Sequence, residues 1–387
     1  MPRLKIEEEL ADIARAIRQN RSGVDLTDYK KITEAVRSGN ADLIPHGTVF
    51  QVTHSVYGAI DFVTRMRNVH KVVGEPERPT LTIQTKHLLS VNAGTSAATF
   101  QYDRPEAFQS VDTEIPANTT CKFTTIAYGS WAAGTYNFKA TAAIPAGSKL
   151  CISGYQNTAL TSLTVDVYAS AKATTKSASY AISSGAGSAT LDLGIWGTTA
   201  NHPQRVSYGS NNEAQSGLFQ FLNGDSGSSY MDSIFEPQTK YDMMPSAFTS
   251  LKGFLGGFPD DFRECLGLCA IPNLTNSVYE ESPFSVNQTY THNGYFFLPS
   301  RKEIYGSNEN AYEANESQIP YFANIGTTDA DKLMRAKGAS SPTTYWLRTP
   351  GAGYALHVRF CHTGYGGALD YSSASGSYGV APLAILA

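Results

Sequence analysis

The stretch from Tyr345 to Ala387 constrains this chain most. It opens on Tyr-Trp-Leu-Arg-Thr-Pro and closes on Val-Ala-Pro-Leu-Ala-Ile-Leu. Between these apolar ends, Leu356, Val358 and Phe360 alternate with His357 and Arg359. A period of two predicts a strand with one buried and one open face. Val380, Leu383 and Ile385 suit a buried closing strand, and Trp346 and Leu347 are large core anchors. Gly364 to Gly376 is small, polar and aromatic, with almost no charge. Tyr among Ser and Gly makes an adaptable contact surface, because Tyr supplies area at low entropy cost. The same composition also suits a loop pair that merely closes a domain.

The 387-residue chain is long enough for a large core and two or three domains. Ile6, Leu10, Ile13 and Ile17 form one apolar helical stripe, and Asp28 can cap a second helix through Tyr29, Ile32 and Val36 that stops at Gly39. Two such short helices need something to pack on, whether the body of the protein or another chain. From Pro45 the period shifts to two, with strands expected at Thr48–Val52, Gly58–Val63 and Leu81–Thr85. Thr113 to about Gly197 is rich in Thr, Ser, Ala and Gly. It carries many short strand candidates separated by turn signals such as Pro145-Ala146-Gly147, the pattern of a small antiparallel sandwich. Helical packing is expected at Leu218–Asn223 and Phe262–Leu268. Ser300 and Glu303 have capping-box spacing.

Several of these pieces together resemble a known family. Tyr345–Pro350, Gly353–Arg359, Ser377–Pro382 and Phe296–Gly306 are similar to segments of the C-type-lectin-fold variable proteins of gut bacteriophages and prophages. In that family a diversity-generating retroelement rewrites adenines, and the altered positions form the ligand-binding face. Such codons cannot encode Lys, Glu, Gln, Met or Trp, and none of these occurs from Gly351 to Gly376. The resemblance implies an α+β, C-type lectin fold with an inserted β-sandwich and an N-terminal helical segment. The corresponding divisions are 1–44 (helices for docking or oligomerisation), 45–112 (first part of the lectin fold), 113–197 (the insert) and 198–387 (second part, bearing the binding face). The expected contact residues are Gly353, Tyr354, His357, His362, Tyr365, Asp370, Tyr371, Ser372, Ser373, Ser375 and Tyr378. The expected partners are a bacterial cell-surface protein or glycan, other virion proteins and two further copies in a homotrimer.

Composition bounds the alternatives. A net charge of −4 provides no basic field for nucleic acid, and no apolar run is long enough to span a bilayer as a helix. The start, Met-Pro-Arg-Leu-Lys-Ile-Glu, has no apolar signal core, so synthesis and retention in the cytoplasm are expected, and the resemblance implies a virion assembled in the bacterial host. Five cysteines in no framework spacing fit a reducing compartment, and Cys265 with Cys269 lacks two further zinc ligands. Gly-x-Ser-x-Gly, phosphate-loop and His-Glu-x-x-His motifs are absent, so neither an enzyme, a cofactor nor a metal is expected. His357 and His362 read as contact residues. Glu236-Pro237-Gln238 resembles a lectin calcium tripeptide, but the Trp-Asn-Asp run that would accompany it is missing. Three function classes follow: a receptor-binding virion protein, a purely structural fibre, collar or head decoration, and an oxidase of the formylglycine-generating kind. The last would need a close cysteine pair near the C-terminus, where only Cys361 lies.

Overall fold

The computed structural model describes residues 23–90, 94–102, 107–125, 132–152, 158–170, 173, 175–196, 211, 213–225, 253–275, 288–324, 332–351, 357–361, 363 and 367–387. The first helical stripe, Ile6 to Ile17, falls outside them. At the centre is a five-stranded antiparallel sheet, in the order Val49–His54, Gly58–Arg67, Leu81–Thr85, Leu383–Leu386 and Leu266–Gly267. The first of these strands shows the expected alternation: Phe50, Val52 and His54 are buried, while Gln51 and Thr53 are exposed. The closing strand Leu383–Leu386 is wholly buried because it lies inside the sheet, flanked by strands from far earlier in the chain. Immediately after it, the Ala387 N–H donates to Cys265 O at 3.1 Å and Arg37 Nε donates to Ala387 O at 2.8 Å.

A three-stranded antiparallel sheet, Tyr345–Pro350, His357–Cys361 and Leu369–Ser373, carries the outer hairpin. The short strand Ser377–Tyr378 continues from it and pairs with Phe100–Gln101. Another three-stranded sheet joins Gln288–Gly294, Cys269–Thr275 and Lys71–Val72. Between Ala107 and Trp196 lie two four-stranded sheets that share one apolar cluster, with Phe123 and Phe138 from one sheet facing Leu150, Val165 and Tyr180 from the other. Its last strand, Leu191–Trp196, runs parallel to Thr119–Thr125, a departure from an all-antiparallel sandwich.

The expected α+β fold of the C-type lectin kind, with a separate N-terminal helical segment, is corrected by these findings. Strand accounts for 38% of the chain and helix for 18%, so the fold is mostly β and is built from several antiparallel sheets. The reason lies in the stops between apolar residues. Helix was expected over Phe262–Leu268, yet it covers only Asp260–Arg263, and Leu266–Gly267 pairs instead with the closing strand. Gly267 permits this: a Cβ there would stand 2.8 Å from the Ala387 side chain. The helix Arg301–Tyr305 is likewise ended after five residues by Gly306 at φ +74°. The one longer described helix, Tyr29–Arg37, is capped by Asp28 Oδ1, which accepts from Lys30 N at 2.8 Å. It does not stand apart for docking. Ile32 and Val36 are fully buried in the same cluster as Phe50, Phe62 and Phe262, and each such side chain contributes about 1.5–3 kcal/mol of burial.

Candidate functional site

The outer hairpin is placed by three layers of support. Deepest is Trp346, on a strand buried at all six positions. Its indole N–H donates to Phe100 O at 2.8 Å. The rings of Tyr378, Tyr102 and Phe360 meet it edge-on, with centroids 4.6, 5.6 and 6.1 Å away. Val358, Phe360, Ala374 and Val380 turn into this cluster and hold the hairpin backbone.

The second layer is a buried ionic network that ties the base strand to the helix Arg301–Tyr305. Arg348 Nη1 donates to Glu303 Oε2 at 2.6 Å and to Leu298 O at 2.7 Å, and Nη2 donates to Glu316. His70 Nε2 lies 2.7 Å from the other oxygen of Glu303. Ser300 and Glu303 form the capping box that their spacing predicts: Ser300 Oγ accepts from Glu303 N at 3.1 Å, and Glu303 Oε2 accepts from Ser300 N at 2.7 Å. Burial opposes ionisation of Glu303, but Arg348 and His70 outweigh it and hold the carboxyl well below its usual range. Burial pushes Glu316 up, and the charge of Glu303 adds to that shift against the pull of Arg348. These titratable groups are committed to holding the scaffold.

The third layer faces outward. Arg359 and Tyr371 are register partners across the hairpin. The Arg359 guanidinium stands over the Tyr371 ring at 5.1 Å. Beneath, Glu309 grips Arg359 through both carboxylate oxygens and takes a further contact from Arg301 Nη1 at 3.3 Å. An exposed aromatic is thereby seated on a cation that is itself clamped. Tyr371 is 47% exposed, one of four large hydrophobic side chains exposed among the described residues. Asp370 Oδ1 accepts from Tyr371 N at 2.8 Å.

The expected contact residues divide clearly. Asp370, Tyr371, Ser372, Ser373 and Ser375 lie together on the Leu369–Ser373 strand and the turn that follows, all at least partly exposed. Tyr378 belongs to the support as much as to the surface: it stacks on Phe360 at 4.8 Å, and its hydroxyl donates to Ser372 Oγ at 3.2 Å. The His357 backbone pairs with Ser373, and its side chain lies outside the described residues. Gly353, Tyr354, His362 and Tyr365 lie outside them too, as does Glu236–Gln238. Sequence reading missed the Arg359–Glu309 clamp. Its only local signal is an arginine on the open face of a strand otherwise destined for small and aromatic contacts.

All five cysteines are free and buried. Among the described residues no group of three or more His, Cys, Asp or Glu side chains is arranged to hold a metal ion. No described helix is long and apolar enough to cross a membrane.

Residues 195–387 match a family model described as a domain of unknown function (DUF6273). That span contains the hairpin, the clamp and all of the Arg348 network except His70. It leaves out the strands Val49–His54, Gly58–Arg67 and Leu81–Thr85, without which the closing strand would lack one neighbour. No curated protein matches the chain. No solved structure matches it.

Proposed function

We propose that this chain is a binding protein whose outer hairpin recognises a ligand on a bacterial surface, as a component of a bacteriophage virion. The carrying observation is the exposed Tyr371 on its clamped Arg359, with Asp370 and three serines on the same strip. A clamped aromatic anchor on a short strand that also carries hydroxyls and a carboxylate suits recognition, since aromatics dominate hot spots and supply contact area at low entropy cost. The supporting acid–base groups are buried and paired, which favours binding over chemical transformation. The virion setting rests on the resemblance of Tyr345–Pro350 and Ser377–Pro382 to variable virion proteins.

The test is binding of fluorescently labelled protein to a panel of gut bacterial strains, compared with the Asp370→Ala/Tyr371→Ala double variant. The wild-type protein should bind some strains saturably. The variant should melt within a few degrees of wild type, because exposed side chains cost about half a kcal/mol each, and should lose at least tenfold in affinity. A variant that folds and binds equally well removes the hairpin from recognition. A wild-type chain that binds no strain yet copurifies with phage particles favours the structural virion role instead.

A further inference from the structure

Away from the hairpin, a cavity of about 410 Å³ opens beside the first two strands of the central sheet. Its walls are Val49, Val63 and Arg65 from those strands, Lys86 and His87 just beyond the third, Tyr321 and Phe322 from the helix Pro320–Asn324, and Arg335. Among the described residues no carboxylate lines it. Asp61, which stands 3.9 Å from His87, is already engaged by Lys337 at 2.7 Å and Gln51 at 2.8 Å.

Arg65 is the anomaly. It is only 3% exposed, on the strand Gly58–Arg67 between the buried Thr64 and Met66. Its Nε donates to Gln84 Oε1 at 2.8 Å, and its guanidinium lies over the Tyr321 ring at 4.3 Å and near Phe322 at 5.2 Å. Among the described residues it has no salt-bridge partner. Among the described residues the two buried arginines therefore differ sharply: Arg348 is met by two carboxylates, whereas Arg65 is met by a neutral amide and aromatic faces. Burial accordingly pushes the Arg65 guanidinium down to about 10, with only tyrosines opposing the shift. A buried cation without a counter-ion is costly to stability, and an anionic ligand would supply the missing charge.

We infer that this cavity is a binding site for a small organic anion, a monosaccharide-sized molecule whose carboxylate or phosphate is received by the fork of Arg65. The guanidinium geometry matches both oxyanions in bidentate fashion. Lys86 and Arg335, both exposed at the rim, add attraction for an anion. Tyr321 is 46% exposed and presents a flat apolar wall for the ligand's ring, and the volume lies within the range of small-molecule pockets. This site is independent of the hairpin face. The half of it formed by Val49 to His87 lies outside the 195–387 family match, and the half formed by Tyr321 to Arg335 lies inside it.

The probes are glucuronate for the carboxylate, glucose 6-phosphate for the phosphate, and glucose as the neutral control, titrated calorimetrically into the full chain at low and at physiological salt. At least one anion should bind, more weakly as salt rises, while glucose does not, and which anion binds better identifies the oxyanion. The Arg65→Met variant should lose at least tenfold in affinity while melting no lower than wild type, because removing an unpaired buried charge relieves a cost. The Lys86→Ser/Arg335→Ser variant, altered only at the rim, should fold normally, bind the same anion more weakly and show a shallower salt dependence. Failure of both anions to bind at millimolar concentration overturns the inference. So does undiminished binding by both variants, or an Arg65→Met protein that melts far below wild type, which would make Arg65 a structural residue.

Discussion

Replacing Trp346 by alanine is the sharpest probe of how the hairpin is held. Truncating a buried aromatic to alanine costs about 3–5 kcal/mol through lost transfer energy and the cavity left behind. Here the indole also donates to Phe100 O, a net contribution of about 1 kcal/mol. Collapse cannot readily fill the hole, because Tyr378, Tyr102 and Phe360 meet the indole edge-on and their own placements depend on it. The total is roughly 4–6 kcal/mol, comparable with the whole stability of many domains. Trp346→Phe keeps a ring in the hole and loses the N–H, so it should cost about 1–3 kcal/mol. Urea denaturation followed by far-ultraviolet circular dichroism reads the difference. With a slope of about 2 kcal/mol/M, alanine should lower the midpoint by about 2–3 M and phenylalanine by about 1 M. The two sheets between Ala107 and Trp196 have a separate apolar cluster that does not include Trp346. If they melt in a transition of their own, that transition should not move. A Trp346→Ala midpoint within about 0.5 M of wild type, or a phenylalanine variant worse than alanine, would refute this account of the core.

Two further outcomes follow from His54, whose Nδ1 accepts the N–H groups of Val56 and Tyr57 at 3.0 and 3.1 Å while Nε2 faces Phe254 O at 2.9 Å. Burial pushes its pKa down to about 4, below the ordinary value of 6.5, so the unfolded chain binds the extra proton first. This contribution to stability is complete above about pH 6.5 and is lost as pH falls towards 4, by up to about 3 kcal/mol; urea midpoints at pH 4.5, 5.5 and 7 should fall more steeply for wild type than for His54→Gln, and equal slopes would count against it. Gly257→Ala should destabilise by about 2–3 kcal/mol or more, because the new Cβ would stand 2.1 Å from His54 Nε2 in a packed aromatic cluster, and an unchanged melting temperature would show that the ring moves freely.

Local order was legible in the sequence, and long-range pairing was not. The alternation at Val49–His54, the cap at Asp28 and the box at Ser300–Glu303 are each decided within a few residues, so spacing reveals them. The α+β reading failed where apolar spacing fits either period: Phe262 to Leu268 looks helical until Leu266 finds Leu386 across the sheet. The clamp joins Glu309 to Arg359, fifty positions apart, and the Arg348 network gathers His70, Glu303 and Glu316. Nothing local marks such partners. Arg65 did carry a signal, a charge inside the run Phe62-Val63-Thr64-Arg65-Met66, but its meaning depends on Tyr321 and Phe322, which arrive from far along the chain.

The buried position of Leu383–Leu386 sets a timetable. Its neighbour Leu81–Thr85 is made about 300 residues earlier, which at roughly 5–20 residues per second is a wait of about 15–60 seconds. During that interval one edge of an apolar strand has no native partner, and an unpaired edge invites pairing with other chains. The two sheets between Ala107 and Trp196 have every strand they need by the time Trp196 is made, and they can fold while the ribosome continues. The central sheet cannot. A cell making this protein therefore carries half-built sheets in proportion to its rate of synthesis, and slower or cooler expression should raise the soluble yield by thinning their encounters rather than by making any one chain more stable.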